Sequence, residues 1–171
     1  MRASNVITAT CLSLAAFAAL SDEAGFLKTL AESNRAEIQA GEIAVSKASS
    51  DSVRAFGTML VEDHGGALDK VEALAKSKDI ALPDALSKEK TDMLAKLRQR
   101  DASRFDPEFM AEMVKAHEKS VSLLQSELVK GSPETTALAR QLLPTVQSHL
   151  REAYRLTGQA DEAAAVSTAE N

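Results

Sequence analysis

Three histidines are the residues of this 171-residue chain whose type and position could support chemistry: His64, His117 and His149. Apolar residues recur at spacings of three and four around each of them, so each histidine is predicted to lie on the apolar face of an amphipathic helix. Imidazole is the commonest metal ligand among protein side chains and titrates near neutral pH. The pattern therefore indicates either a metal site in the core or a structural polar layer.

The three histidines are also predicted to lie at one depth. Antiparallel helices of similar length bring their midpoints to one level, and the predicted midpoints fall near residues 64, 118 and 145. His64 and His117 lie within about one residue of these midpoints, and His149 lies about four residues, or roughly 6 Å, beyond its own. One polar layer could hold all three side chains.

A predicted first helix adds further polar residues at this level, Glu37 and, one turn earlier, Asn34. Three imidazoles and a carboxylate suit one zinc, iron, manganese or copper ion, with a position left open for water. Asp63 and Glu62, which precede the first histidine, could orient its ring through the second nitrogen. Met113, one turn before the second histidine, is either a soft ligand for copper or core filler. The predicted metal ligands are Glu37, His64, His117 and His149.

The competing hypothesis is that the histidines bind nothing. Paired with Glu37, Asn34 or Asp63, they would form a satisfied polar layer that fixes helix register in a non-enzymatic envelope stress or interaction protein. A di-iron centre is disfavoured, because di-iron bundles place a glutamate three residues before each ligand histidine, and valine occupies those positions here. The residues predict no catalytic group, since nothing marks a strained nucleophile turn beside a histidine.

Long helices are required to position these side chains, and the sequence predicts an all-α fold. The two short turns and one long helical crossover between the second and third helices are typical of a ferritin-like four-helix bundle. The predicted helices cover about residues 22–48, 51–78, 106–130 and 132–156, with a shorter helix opened by Pro83 and Asp84 in the crossover.

Two of the helix starts carry the same local signal. Asp106 precedes Pro107, and Ser132 precedes Pro133, so each pair has the form of a cap followed by a proline in the first helical position. We therefore expect the third and fourth helices to begin there. The bundle is predicted over residues 22–157, followed by a disordered acidic tail over residues 158–171.

The first 21 residues have the composition of a signal peptide. Arg2 precedes an almost uncharged stretch of about fifteen residues, which is shorter than the roughly 20 that a membrane-spanning helix needs. Cleavage is expected between Ala18 and Ser21, which would remove Cys11, the only cysteine, and place the chain in the periplasm or elsewhere outside the cytoplasm. No later stretch predicts a transmembrane segment.

Charge and composition bear on the choice of partner. Removing Arg2 with the leader leaves 19 basic residues of the original 20 against 25 acidic ones, a net charge of −6. With this acidic excess and six aromatic residues in all, the chain lacks the basic stripe and stacking surfaces that nucleic-acid binding requires. A protein partner in the envelope is compatible with such a surface, and the sequence carries no signal for an oligomeric state.

Several stretches together resemble a bacterial exported family catalogued as domain of unknown function 4142. They are "GTMLVEDHGGALDKVEALAKSKDIALP", "FDPEFMAEMVKAHEKSV" and "ALARQLLPTVQSHLREA". The resemblance covers about residues 24–157 and implies a ferritin-like fold and an envelope location, but no established reaction. The residues of this chain that match the family pattern are Glu37, Asp63, His64, His117, Pro144 and His149.

Overall fold

The structure is a computed structural model that describes residues 11–168, with the side chains of residues 22–166. All regular secondary structure in this range is helical, which confirms the predicted all-α class. The helices are α1 (Cys11–Lys47), α2 (Asp51–Ser77), α3 (Lys88–Gln99), α4 (Ala102–Lys130), α5 (Pro133–Leu156) and α6 (Ala160–Thr168).

The long helices α1, α2, α4 and α5 form two hairpins joined by α3. The contacts of α3 show its direction: the Ser87 N–H donates to Glu32 before its first turn, and Lys47 donates to the Arg98 carbonyl near its end. It therefore runs back along α1 toward the α1–α2 turn, where α4 begins. As a result α2 and α4 run in the same direction, which requires the long connection that the sequence predicts.

The start of α5 follows the predicted signal. Pro133 is the first helical residue, and the Ser132 hydroxyl accepts a hydrogen bond from the Thr135 N–H at 3.3 Å. This bond satisfies one of the N–H groups that a helix start leaves without an internal partner. The prediction is confirmed here because the cap depends only on residues next to it.

The predicted start of α4 is wrong. The helix begins at Ala102, so Pro107 lies inside it, and Asp106 does not cap it. The Asp106 carboxylate instead accepts hydrogen bonds from the backbone N–H groups of Ser49 and Ser50, at 3.1 and 2.8 Å, where α2 begins. The aspartate that reads as a local cap thus connects two helices that are far apart in sequence.

Three other boundaries differ from expectation or lie outside the described range. Ser87 caps α3, so that helix starts after Pro83 and Asp84 rather than at them. A helix, α6, covers Ala160–Thr168, where the sequence predicted a disordered tail. Residues 1–10 of the predicted leader fall outside the described range, and α1 begins at Cys11 and continues through the expected cleavage region.

Two apolar clusters fill the core, one on each side of the histidines along the bundle. The cluster toward the α1–α2 turn is rich in aromatic rings and includes Phe56, Phe105 and Phe109. The cluster toward the α4–α5 turn is mostly aliphatic and includes Leu27 and Leu138. The histidines are therefore the polar layer between two apolar regions.

The helices α1 and α2 approach closely at two glycines. A Cβ added at Gly41 would lie 2.6 Å from the Gly57 carbonyl oxygen, and one added at Gly57 would lie 2.8 Å from the Gly41 carbonyl oxygen. Only glycine allows this contact between the backbones. In the described part of the chain, no helix is long and apolar enough to cross a membrane.

Candidate metal centre

The three histidines meet in the core, although each lies on a different helix. His64 lies on α2, His117 on α4 and His149 on α5, and their side chains are 6 %, 1 % and 1 % exposed. One ring nitrogen of each lies within 4.8 Å of the other two. Such spacing between three nitrogen atoms would allow them to coordinate one ion.

The hydrogen bonds of His64 define its tautomer. Its Nδ1 lies 2.8 Å from Oδ1 of Asn34, whose own amide nitrogen donates to the Leu30 carbonyl oxygen at 2.7 Å. Because the amide oxygen can only accept, Nδ1 of His64 must carry the hydrogen. Its Nε2 therefore has a free lone pair, and this buried atom has no hydrogen-bond partner among the described residues.

The same argument applies to His117. Its Nδ1 lies 2.8 Å from the backbone carbonyl oxygen of Met113, which can only accept, so Nδ1 is the donor and Nε2 carries the lone pair. The Met113 side chain lies fully buried in the aromatic-rich cluster. The contact of Met113 with the histidine is therefore made through its backbone oxygen.

His149 is oriented by a carboxylate. Its Nε2 lies 2.9 Å from Oδ2 of Asp63 and donates to it, which leaves the lone pair on Nδ1. This Nδ1 lies 3.4 Å from Nε2 of His117, whose lone pair is also free in the neutral form. Two lone pairs at this distance repel each other unless a cation, either a proton or a metal ion, lies between them.

All three rings thus have the same arrangement. One nitrogen of each ring donates a hydrogen bond to an oxygen atom, and the residue that carries this oxygen is here called the anchor. The other nitrogen carries the lone pair. In His117 and His149 this nitrogen faces the neighbouring ring, and in His64 it has no partner in the described range. Histidine ligands of metals in proteins are typically held in this way, with the second nitrogen donating to a carboxylate or a carbonyl group. The arrangement is suited to a metal ion, with Asn34, Met113 and Asp63 as the anchors.

Glu37 adds a buried carboxylate near the cluster. Its side chain is 5 % exposed, and its Oε2 has no hydrogen-bond partner in the part of the chain described. Burial raises the pKa of Glu37, and its electrostatic interaction with His117 opposes that shift. The carboxylate is not one of the groups that lie within 4.8 Å of one another, so the histidines alone form the compact cluster.

Burial also affects the protonation of the histidines. It lowers the pKa of His64 well below the ordinary value, and repulsion from His117 and His149 adds to the shift. The pKa of His149 is lowered by burial as well, against the opposing hydrogen bond from Asp63. The neutral form, which alone offers a lone pair to a metal, is thereby favoured.

One anchor differs from the expectation. The sequence predicts that Asp63 could orient His64, but adjacent residues on a helix do not face each other, and Asp63 binds His149 instead. Phe56, two turns before His64 on the apolar face of α2, borders the cluster, and its ring centre lies 6.2 Å from that of His117 and 6.3 Å from that of His149.

Comparisons with known proteins identify the family of the chain and a solved structure with a similar fold. The chain matches the family described as Domain of unknown function (DUF4142) over residues 9–156. The chain belongs to this family. Its fold is similar to the crystal structure of a DUF305 fragment from Deinococcus radiodurans, with a TM-score of 0.71 and 17 % identity over 80 % of this chain and 95 % of that one. None of the curated proteins compared matches this member of the DUF4142 family.

Proposed function

We propose that this DUF4142 protein binds a single transition-metal ion through His64, His117 and His149, with Glu37 as a further donor. The observation that carries the proposal is that the anchors leave one lone pair on each ring, while one nitrogen of each ring lies within 4.8 Å of one nitrogen of each of the other two. A metal ion would relieve the repulsion between the two lone pairs that lie 3.4 Å apart.

Two unpartnered atoms support a bound ion over a purely structural layer. Nε2 of His64 and Oε2 of Glu37 are both buried without a hydrogen-bond partner among the described side chains. Leaving a buried polar group unpaired costs roughly 1 to 3 kcal/mol, so a structural layer would be expected to satisfy both atoms. An ion bound to the histidines would give the free nitrogen of His64 a partner.

The donor set narrows the choice of metal. Imidazole nitrogen and carboxylate oxygen suit zinc, iron, manganese and copper, and the set contains no thiolate. A di-iron centre would need a glutamate three residues before each ligand histidine, and valine occupies those positions, at 61, 114 and 146. The proposal is therefore for one ion.

The competing proposal is a structural role in an envelope stress or interaction protein. The bonds that favour it are the Asn34–His64 contact between α1 and α2 and the Asp63–His149 contact between α2 and α5. Such bonds would fix the relative register of these helices without any metal. This hypothesis expects no stoichiometric metal under any loading condition.

Metal content distinguishes the two proposals. The full chain without an affinity tag would be loaded with each of the four metals in turn and assayed by mass spectrometry. We expect about one ion per chain, with occupancy strongly reduced in His64→Gln, His117→Gln and His149→Gln, and less reduced in Glu37→Gln. Thr135→Val, which alters a buried polar group elsewhere, is the matched control and should retain the ion. Absence of metal from the unaltered chain would contradict the proposal.

We further propose that the protein acts outside the cytoplasm. Support comes from residues 1–21, whose single positive charge, apolar stretch and small residues before Ser21 have the pattern of a cleaved signal peptide. The mass of the chain recovered from a periplasmic extract would test it. A mature chain that begins between residues 19 and 22 is expected, whereas an intact chain confined to the cytoplasm would contradict it.

A further inference from the structure

A pocket between α2 and α5 reaches the histidine cluster from outside. Its volume is about 160 Å³, and His64 and His149 are among the residues that line it. His64 is the residue whose buried Nε2 lacks a partner in the described range. The pocket therefore offers access to an ion held by the histidines.

Glu37 does not line this pocket. It lines a neighbouring pocket formed by residues of α1, α3 and α4, and the two pockets share Ser33 and Ser120 in their linings. A ligand in the α2–α5 pocket would therefore lie against His64 and His149 and not against Glu37.

A glycine opens the wall of the pocket on α2. Gly66 lines it, and a Cβ added there would have no heavy atom within 4 Å. This differs from Gly41 and Gly57, where the same addition would collide with a backbone carbonyl oxygen. Gly66 is exposed, so the absent side chain leaves the outer part of the pocket open on this side.

The lining indicates the kind of molecule that would fit. A cavity of about 160 Å³ can hold a molecule the size of benzene, so a ligand of up to about six heavy atoms would fit. The charged residues of the lining are Glu62, Asp63 and Lys70, and their one net negative charge would offset part of the positive charge of a bound ion, which reduces the attraction of the site for an anion. Hydroxyl groups of Ser120 and Thr145 supply hydrogen bonds in place of charge.

We infer that this pocket is a binding site for a small uncharged ligand, such as a diatomic molecule, that coordinates the ion bound by the histidines. The inference rests on the metal site proposed above and adds to it an open coordination position, with access between α2 and α5. The geometry that carries it is the contact of the pocket with His64 and His149, together with the buried Nε2 of His64 that has no partner among the described residues.

Nitric oxide is the probe for this site, because it is uncharged, has two atoms and gives spectroscopically distinct adducts with iron(II) and cobalt(II). The full chain would be loaded with either ion without oxygen, its metal content measured, and nitric oxide binding followed by absorption and electron paramagnetic resonance. We expect the loaded chain to bind nitric oxide, and azide to bind more weakly.

The decisive variant is Gly66→Leu, with Gly65→Leu as its matched control. Both glycines lie in α2 with no atom near an added Cβ, but only Gly66 lines the pocket. A leucine at 66 would add four carbon atoms at the edge of the pocket and narrow its entrance, so we expect nitric oxide to bind about tenfold more weakly or slowly. Metal content should not change in either variant, and Gly65→Leu should bind nitric oxide as the unaltered chain does.

A second variant tests the same pocket from its other wall. Thr145→Leu on α5 should reduce nitric oxide binding in the same way as Gly66→Leu, and it replaces that variant in the test if Gly66→Leu does not fold. A loaded chain that binds no nitric oxide, or binds it equally in all variants, would overturn the inference and leave the metal site intact. A chain that binds neither iron(II) nor cobalt(II) would overturn the inference, and a chain that binds none of the proposed metals would overturn the metal site as well.

Discussion

Two polar clusters within the described part of the chain differ in how completely their buried atoms are paired. The histidine cluster lies at the middle of the bundle, and the second, here called the Glu127 cluster, lies at the α4–α5 turn. In the second cluster the Thr135 hydroxyl donates to Glu127 at 2.6 Å and the Ser132 hydroxyl donates to Glu23 at 2.7 Å. The members of the Glu127 cluster are Glu23, Lys78, Glu127, Ser132 and Thr135.

This difference separates a structural from a binding role. Glu23 also pairs with Lys78 at 2.9 Å, and no buried side-chain atom of the Glu127 cluster lacks a partner within the described residues. The histidine cluster has the opposite character, because it leaves Nε2 of His64 unpaired and has two free lone pairs facing each other. Complete pairing is expected of a cluster that holds a turn in place, and incomplete pairing of one that awaits a ligand.

The largest expected effect is the loss of metal-dependent stability when all three histidines are changed to glutamine. A metal at 1,000 times its dissociation constant should stabilise the unaltered chain by about 4 kcal/mol, because it binds only the folded state. The triple variant should gain nothing, whereas Thr135→Val in the Glu127 cluster should keep the full gain. Thermal unfolding with and without metal is the measurement. If metal stabilised the triple variant as much as the unaltered chain, the histidine cluster would not be the binding site.

A smaller effect is expected from removing one anchor. Asn34→Ala leaves Nδ1 of His64 without its acceptor, so the ring can rotate and the metal affinity should fall about 10- to 100-fold. Competition with a chelator of known affinity measures this loss. Thr29→Ala, which removes a hydroxyl bonded only to the carbonyl of its own helix, is the control on α1. An unchanged affinity in Asn34→Ala would mean that this bond has no role in orienting a ligand.

The metal-free chain should lose stability on mild acidification. Burial lowers the pKa of His64 and His149 below 6.5, so below that pH the unfolded chain binds more protons than the folded one. Each extra proton contributes a slope of up to about 1.4 kcal/mol per pH unit. The raised pKa of Glu37 acts in the opposite sense above pH 4.5, but one carboxyl opposes two imidazoles. Stability should therefore fall from pH 6.5 to 5.

Urea unfolding at a series of pH values measures this slope. Saturation with metal should hold the histidines deprotonated and deepen the dependence on pH, since acid then also releases the ion. The triple glutamine variant provides the control and should lose the histidine contribution. A metal-free chain whose stability is constant between pH 6.5 and 5 would show that the buried neutral histidines are described wrongly.

The smallest expected effect belongs to the Glu127 cluster. Lys78→Gln removes the ion pair with Glu23, and since Lys78 is partly exposed, the loss of stability should be at most about 1 kcal/mol and should shrink in high salt. Metal affinity should not change. Urea unfolding at low and high salt measures the first expectation, and a shift in metal affinity would show that the two clusters are coupled.

The sequence predicts the fold and the meeting of the histidines because both depend on periodic patterns. The spacing of three and four places His64, His117 and His149 on inner faces, and helix length then sets their depth. Ser132 is predictable for a similar reason, since its cap depends on the next three residues. These signals are local, so they can be recognised without knowing how the helices pack against one another.

The errors arise where a side chain is used across helices. Asp106 has the form of a local cap but binds the backbone of Ser49 and Ser50, and Asp63 adjoins one histidine but binds another. Neither partner can be deduced from spacing, because the relative rotation of two helices depends on packing over their whole length. The pocket at Gly66 is unpredictable for the same reason, as it exists only between two packed helices.

The hydrogen bonds of the histidine cluster also have a kinetic consequence. They connect α1 to α2 through Asn34 and α2 to α5 through Asp63. Of the two, the Asp63–His149 bond joins one hairpin to the other, so the hairpins can separate only if it breaks. A metal ion held at their junction would thus act on the rate of opening, so that the loaded protein resists proteolysis for longer than its gain in equilibrium stability alone would give.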